Sequence, residues 1–491
     1  MKFLSLGIKK MESFLNPIRI RTQNIKVLVT GATGYIGGRL IPRLLANNIK
    51  VRVLVRDRAK IQNKSWINNV EIFEGDLTKV ETLKDLCLGI DQAFYLIHSM
   101  TSSEEYIELD RLAVKNFVKN AKGLKHVVYL GGISPEEKNI SDHLRSRIEV
   151  GEILRQSLPT TEFCAGPIIG SGSASFEMLR HLSEKLPIMI APKWINNSVR
   201  PISVRDVLKY LVLSIDRKPC IKMDIGTNPM TFKDLMLEYC KFRGLKRYVF
   251  PVPVLAPSLA ARWIGLVTPI PNTLAMPIVK SVINNITGDI SKSHKFFPEI
   301  KTLNYNDSIK SALDKTKKEF IETSWNKEKI TFNYKLLQHR GRFEEIRISK
   351  TTASTNSLYK SFISLGGANG WKAWNFLWAI RKFIDRILGG KSIGEPDRDN
   401  LVEGSLFDCF IVEKIEINKK LLLRMNLKTP GEAWLKFEAI EDSDCSYLVV
   451  SAIFEPKGIW GYFYWYSILP LHKFIFRDLT NAIKSEAEAN I

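Results

Sequence analysis

The chain has 491 residues, too long for one hydrophobic core, so two or three domains are expected. Hydrophobic content of 45% and charged content of 25% are ordinary for a folded soluble protein, and six scattered cysteines with no C-x-x-C argue against a zinc site or a disulfide framework and suit a reducing cytosol. The net charge of +21 is spread along the chain and interleaved with acids, which argues against a nucleic-acid interface and reads first as a basic, solvated surface, with attraction to phosphates, acidic metabolites or a membrane surface as the alternative.

Residues 1–24 are basic and mildly amphipathic. They read as a transit peptide, an extended N-terminus or a misplaced start with Met11 as the alternative, and lack the apolar core of a secretory signal. Ile25 to Thr30, "IKVLVT", then reads as a buried parallel strand. It runs into Gly31-Ala32-Thr33-Gly34-Tyr35-Ile36-Gly37-Gly38, after which Leu40, Leu44 and Leu45 follow at helical spacing. Strand, glycine loop and helix together form a dinucleotide-binding context. Gly31 permits the tight turn, Gly34 lets backbone approach a pyrophosphate, and Gly37 lets the helix pack on the strand. The helix N-terminus offers N–H donors to phosphates. Pro42 inside that helix is a local conflict.

A second strand, Val51 to Val55, ends at Arg56-Asp57-Arg58. An arginine there accommodates a 2′-phosphate, so NADP(H) is favoured over NAD(H), with Asp57 keeping NAD open. Three more strands follow at βαβ spacing: Val70 to Phe73 before Gly75-Asp76-Leu77, Asp91 to Ile97 before His98-Ser99-Met100, and His126 to Leu130 before Ile133-Ser134. Helical patterns such as Leu109 to Ala121 separate them, so the fold class is α/β, a Rossmann-type doubly wound parallel sheet. Ligands bind at the carboxyl ends of such strands. Asp76 and Leu77 are expected near an adenine, and His98 and Ser99 in the central cleft.

"TGATGYIGG", "EGDL", "VVYLGG" and "RPISVRDVLKYL" resemble the short-chain dehydrogenase/reductase superfamily, in particular its extended and atypical members, the NmrA-like and UDP-sugar-epimerase-like groups. The resemblance covers roughly Ile25 to Thr323 and implies a nicotinamide cofactor without specifying a substrate. It also implies a Tyr-x-x-x-Lys pair on the helix after the fifth strand, tyrosine as acid or base and lysine as ribose anchor. Here "HLRSR" puts His143 and Arg147 at that spacing; Ser146-Arg147 and the apolar stripe Leu144, Ile148, Gly151, Leu154 set the register. Arginine cannot relay a proton but binds phosphate or ribose oxygens, whereas histidine titrates at about 6.5 and can act as an acid. His143, Arg147 and Ser134 are therefore the candidate catalytic residues. The loop Gly166 to Ser175 is expected near the nicotinamide, and a substrate subdomain is expected near 230–300, with Trp263, Leu266 and Met276 as candidate pocket walls.

A polar stretch, 326–342, is read as the linker to a second domain, 343–491. Phe343 to Ser349 reads as a strand and Trp374 to Leu388 as an amphipathic helix. An antiparallel meander follows: Ser405 to Ile417, Lys420 to Asn426, Ala433 to Ile440 and Tyr447 to Phe454. The aromatic stretch Gly458 to Phe476 contains Pro470, His472 and Lys473 and reads as a buried amphipathic helix rather than a membrane span. This order resembles the helix-grip (START-like or Bet v 1-like, SRPBCC) domain, and "LGGANGW" and "YWYSILPLHKFIFR" resemble the uncharacterised C-terminal domain of some bacterial atypical short-chain dehydrogenases. That resemblance implies an apolar cavity. Three functions are open: an NAD(P)-dependent oxidoreductase with a small hydrophobic substrate, a non-catalytic NADP-binding sensor or assembly factor, and a membrane-peripheral lipid-binding protein. A cytoplasmic location, with membrane association as the alternative, suits all three.

Overall fold

The computed structural model describes residues 20–22, 24–62, 64–98, 105–135, 140–219, 222–252, 268, 276, 279–281, 283–322, 333–339, 342–387, 401–441 and 445–489. The chain divides into two compact units near residue 313.

In the first unit β1 (Lys26–Val29), β2 (Lys50–Val55), β3 (Glu71–Glu74), β4 (Gln92–Tyr95), β5 (His126–Gly132), β6 (Thr160–Ala165) and β7 (Lys222–Ile225) form one sheet. Its order is β7-β6-β5-β4-β1-β2-β3, and every pairing is parallel. The order reverses between β1 and β4, which is where ligands bind in open α/β sheets. The alternation of β1 explains why both faces need helices. Val27 and Val29 pack with Leu40 and Leu44 of α1 (Gly37–Ala46), whereas Leu28 packs with Val114 and Phe117 of α2 (Glu105–Asn120) and Leu154 of α3 (Asp142–Ser157). Pro42 sits inside α1 without ending it.

In the second unit β8 (Tyr334–His339), β9 (Arg342–Thr351), β10 (Leu406–Phe407), β11 (Phe410–Glu416), β12 (Lys420–Met425), β13 (Gly431–Glu441) and β14 (Ser446–Pro456) form an antiparallel sheet ordered β8-β9-β14-β13-β12-β11-β10. Among the described residues the helices α4 (Thr355–Ile363), α5 (Asn375–Ile387) and α6 (Gly458–Ala489) accompany it.

Three expectations change. The polar segment read as linker contains β8, an edge strand paired with β9 from Tyr334↔Arg347 to His339↔Arg342; an edge strand needs few apolar residues to pair. The run Ser405 to Ile417 is two strands, because Asp408 turns at φ 56° and folds β10 back on β11. The Asp408 carboxylate then accepts from Trp371 Nε1 at 2.8 Å, which locks the "LGGANGW" loop. The aromatic helix is buried on one face only: Tyr462 and Trp465 are buried, but Trp460 and Phe463 are 72% and 67% exposed. Among the described residues no helix is long and apolar enough to cross a membrane.

Candidate functional site

The glycine loop closes over the end of β1. Gly31 turns at φ 72°, and a Cβ there would meet the Leu96 carbonyl oxygen at 2.7 Å, so the loop lies against the chain leaving β4. Gly34 N donates to Gly31 O at 2.9 Å. A Cβ on Gly37 would strike the Gly31 carbonyl, so α1 starts as close to the turn as the backbone allows. Ile36 is the N-cap of α1 and makes no side-chain cap bond, and the first turn holds no acid. Thr33 and Gly34 are exposed. Tyr35 stacks under the Arg39 guanidinium, 4.0 Å from ring centroid to Cζ, and Arg39 donates to Ser171 O at 2.9 Å, tying the glycine loop to the Gly166–Ser175 loop. This cradle, open at an uncapped helix N-terminus, fits a pyrophosphate.

Beyond β2, Asp57 Oδ1 caps the following turn by accepting from Ala59 N at 2.9 Å, and Arg56 is exposed. Asp76 closes a turn of its own, accepting from Thr78 N at 3.0 Å and from its hydroxyl at 2.9 Å. Leu77 is buried, and its carbonyl accepts from Asn116 of α2 at 2.8 Å.

The main polar feature lies at the ends of β4 and β5. His98 Nδ1 is 3.3 Å from Asp110 Oδ2, and its Nε2 is 3.1 Å from His143 Nδ1. Ser146 Oγ donates to the same Asp110 oxygen at 2.9 Å. α2 supplies Asp110 and α3 supplies His143 and Ser146; Arg111 of α2 also pairs with Glu149 of α3. The bonding order fixes the tautomers. An ionised carboxylate only accepts, so His98 carries its hydrogen on Nδ1. His98 Nε2 is then a lone pair, so His143 donates from Nδ1 and its own Nε2 is left bare. Burial, His98 and Arg147 push His143 down to about 2, and burial also lowers His98 against the pull of Asp110. Both rings are therefore neutral near pH 7, and His143 presents a bare Nε2, a hydrogen-bond acceptor, rather than the acid that its position in the sequence suggests.

Arg147 lies one turn on. Its Nη2 donates to Leu130 O at 2.6 Å, while its Nε is buried and makes no bond. That Nε lies 3.6 Å from where a Cβ on Gly132 would sit, so Gly132 leaves room beside the guanidinium. Ser134 accepts from Lys222 Nζ of β7 at 2.6 Å. The structure thus brings Gly31, His98, His143 and Arg147 to neighbouring strand ends, with Asp110 behind them. Met276 is half-buried; Ser99, Trp263 and Leu266 lie outside the described residues.

Asp110 and Lys222 escape a reading by motif. Asp110 has a visible signal: it falls in the buried stripe of α2 with Ala113, Val114 and Phe117, where an acid needs partners. Lys222, on the strand that closes the sheet, has none.

Residues 23–178 match the NmrA-like family, and residues 337–479 match a family described as a protein of unknown function (DUF2867). Residues 23–178 are thus NmrA-like, and the strand order of the first unit is of Rossmann type. The chain is 30% identical over 136 residues to an uncharacterized protein of Saccharomyces cerevisiae, covering 27% of this chain and 46% of that one. It is also 30% identical over 118 residues to a 3-beta-hydroxysteroid dehydrogenase of Mycolicibacterium neoaurum, covering 23% and 30%. The chain spans less than half the length of these curated relatives. Among solved structures, the Citrobacter sp. triphenylmethane reductase complexed with NADP(H) is similar over 58% of this chain and 99% of that one, at 18% identity and a TM-score of 0.48. A nucleoside-diphosphate-sugar epimerase from Staphylococcus aureus shows the same coverage and TM-score at 16% identity.

Proposed function

We propose that the protein is a nicotinamide-dependent oxidoreductase, favouring NADP(H), that acts on a small hydrophobic alcohol or carbonyl. The observation that carries this reading is the bonded chain Asp110–His98–His143 beside the glycine loop. Thr33 to Gly37 and the start of α1 would hold the pyrophosphate, Arg56 a 2′-phosphate, and Arg147, through its free Nε, a ribose or substrate oxygen. When bound, the nicotinamide supplies or accepts a hydride.

The protein's part is the proton. His143 Nε2 takes the proton of a substrate hydroxyl and passes its Nδ1 proton to His98 Nε2. The positive charge then rests on His98, whose Nδ1–H is held on Asp110. A lone His143 imidazolium is strongly disfavoured, so the carboxylate two rings away makes the transfer feasible. For reduction the pair first takes up one proton from solvent, held as the His98 imidazolium on Asp110; that proton is relayed from His98 Nε2 to His143 Nδ1 as His143 Nε2–H protonates the new alkoxide, which leaves both rings neutral. This chain takes over the duty of the tyrosine that the family pattern leads one to expect. The second domain, read as a helix-grip fold, would receive or deliver the apolar substrate. Its cavity of about 80 Å³ is lined by Trp378, Phe410, Phe454, Trp465 and His472.

Purified protein mixed with NADPH and a panel of hydrophobic carbonyls and quinones tests the reading. NADPH consumption that His143→Ala abolishes supports it. If no carbonyl or quinone is reduced, and His143→Ala preserves cellular function while Gly34→Asp destroys it, the protein is the non-catalytic NADP-binding sensor instead.

A further inference from the structure

The aromatic solvent face of the second domain is the largest feature the proposed chemistry leaves unused. On α5, Phe376, Ile380, Phe383 and Ile387 repeat at helical spacing and are 50–69% exposed. The first half of α6 repeats the pattern with Trp460, Phe463, Tyr466, Leu471 and Phe474, between 47% and 72% exposed. The helices lie side by side: Trp374 Nε1 donates to Asp478 at 2.8 Å, and the Arg381 guanidinium sits 5.8 Å from the Tyr464 ring. Since 374 meets 478 and 381 meets 464, they run antiparallel, and their exposed rows belong to one two-helix surface. Isolated exposed apolar residues are ordinary; two parallel rows of large ones mark an interaction site.

Charge selects the occupant. From Asn375 to Ile387 and from Gly458 to Asp478 the acids are Asp385, buried and accepting from Lys428 N at 2.6 Å, and Asp478, held by Trp374 and Arg477; of the basic residues Arg381 lies over Tyr464 and Lys382 pairs with Asp408, while Arg386 and Lys473 stand exposed, so the face carries net positive charge. A second copy docked face to face would oppose these cations to themselves. An anionic lipid surface answers both the charge and the rings, because tryptophan, tyrosine and phenylalanine settle at the headgroup level while arginine and lysine meet the phosphates. We propose that the α5–α6 face is a peripheral docking surface for anionic membranes. The assignment stands independently of the oxidoreductase reading.

Flotation of the full-length protein with vesicles of phosphatidylcholine, with and without phosphatidylserine, tests it. Binding to the phosphatidylserine vesicles is expected, weakened by salt. A triple variant, Phe383→Ser, Trp460→Ser and Phe463→Ser, should lose about tenfold or more of the binding with an unchanged melting temperature and unchanged NADPH affinity. Should that variant fail to fold, quenching of wild-type tryptophan fluorescence by brominated lipid gives the same decision. Absence of binding to either vesicle overturns the proposal. So does equal binding to both, or a concentration-dependent dimer that the triple variant dissolves and vesicles do not touch.

Discussion

The two domains each bury a histidine, and they surround it in opposite ways. His143 is the last member of a bonded chain that ends on a carboxylate, with each ring nitrogen between it and Asp110 given a partner. His472 stands among Trp465 and Phe476, its Nδ1 is 3.9 Å from Glu345, and no hydrogen bond satisfies that atom. Burial pushes both down, to about 2 and about 3. A depressed pKa therefore does not by itself mark chemistry. What separates the two is whether a proton arriving on the ring has somewhere to go.

The sharpest break of this comparison is in turnover. His143→Ala, or His98→Asn, should reduce NADPH-linked turnover by about 10²–10⁴-fold, and His472→Phe should leave it within a factor of about two; steady-state kinetics reads both. Asp110→Asn should cost about 10²-fold. Without the carboxylate an imidazolium at His98 is less stable, so in the NADPH-consuming direction, where the pair must carry a proton, the basic limb of the pH–rate profile should move to lower pH. Arg56→Ser should weaken NADPH binding about tenfold while leaving NADH nearly unchanged, measured by nucleotide fluorescence titration.

The smallest effect is in stability. His126, pushed by burial to about 4, joins His143 and His472 as a histidine kept neutral in the fold. Below about pH 6.5 the unfolded chain binds protons that the folded chain refuses, so stability falls as pH drops. Each such histidine contributes up to about 1.4 kcal/mol per pH unit until its folded pKa is reached. Melting temperatures between pH 7 and 5 should drop less steeply for His472→Phe than for the wild type, with a gain of about 2 kcal/mol at pH 5.

Much of the first domain was legible because its signals are local. The glycine loop is set by backbone sterics at Gly31 and Gly37, and "HLRSR" by helix register. The partner that gives His143 a role was not: Asp110 lies 33 positions away on another helix, and only the packing of α2 on α3 brings the two together. Lys222 reaches Ser134 only once β7 has joined the sheet. In the second domain the meander was readable from turn residues, whereas β8 hid in a polar segment and Asp408 broke a run that alternates like one strand. The aromatic helix misled for a physical reason. Apolar content is consistent with a buried face and with an exposed one, and only the sheet beneath α6 decides which residues are covered.

The relay is tested most directly by the imidazole ¹⁵N resonances of His98 and His143 at neutral pH, assigned with His98→Asn and His143→Ala. Both rings are expected neutral, protonated at Nδ1 and bare at Nε2, with Asp110→Asn disturbing His98 first. A neutral His98 protonated at Nε2, or a His143 ring that does not respond to Asp110→Asn or His98→Asn, would contradict a proton path from substrate to Asp110.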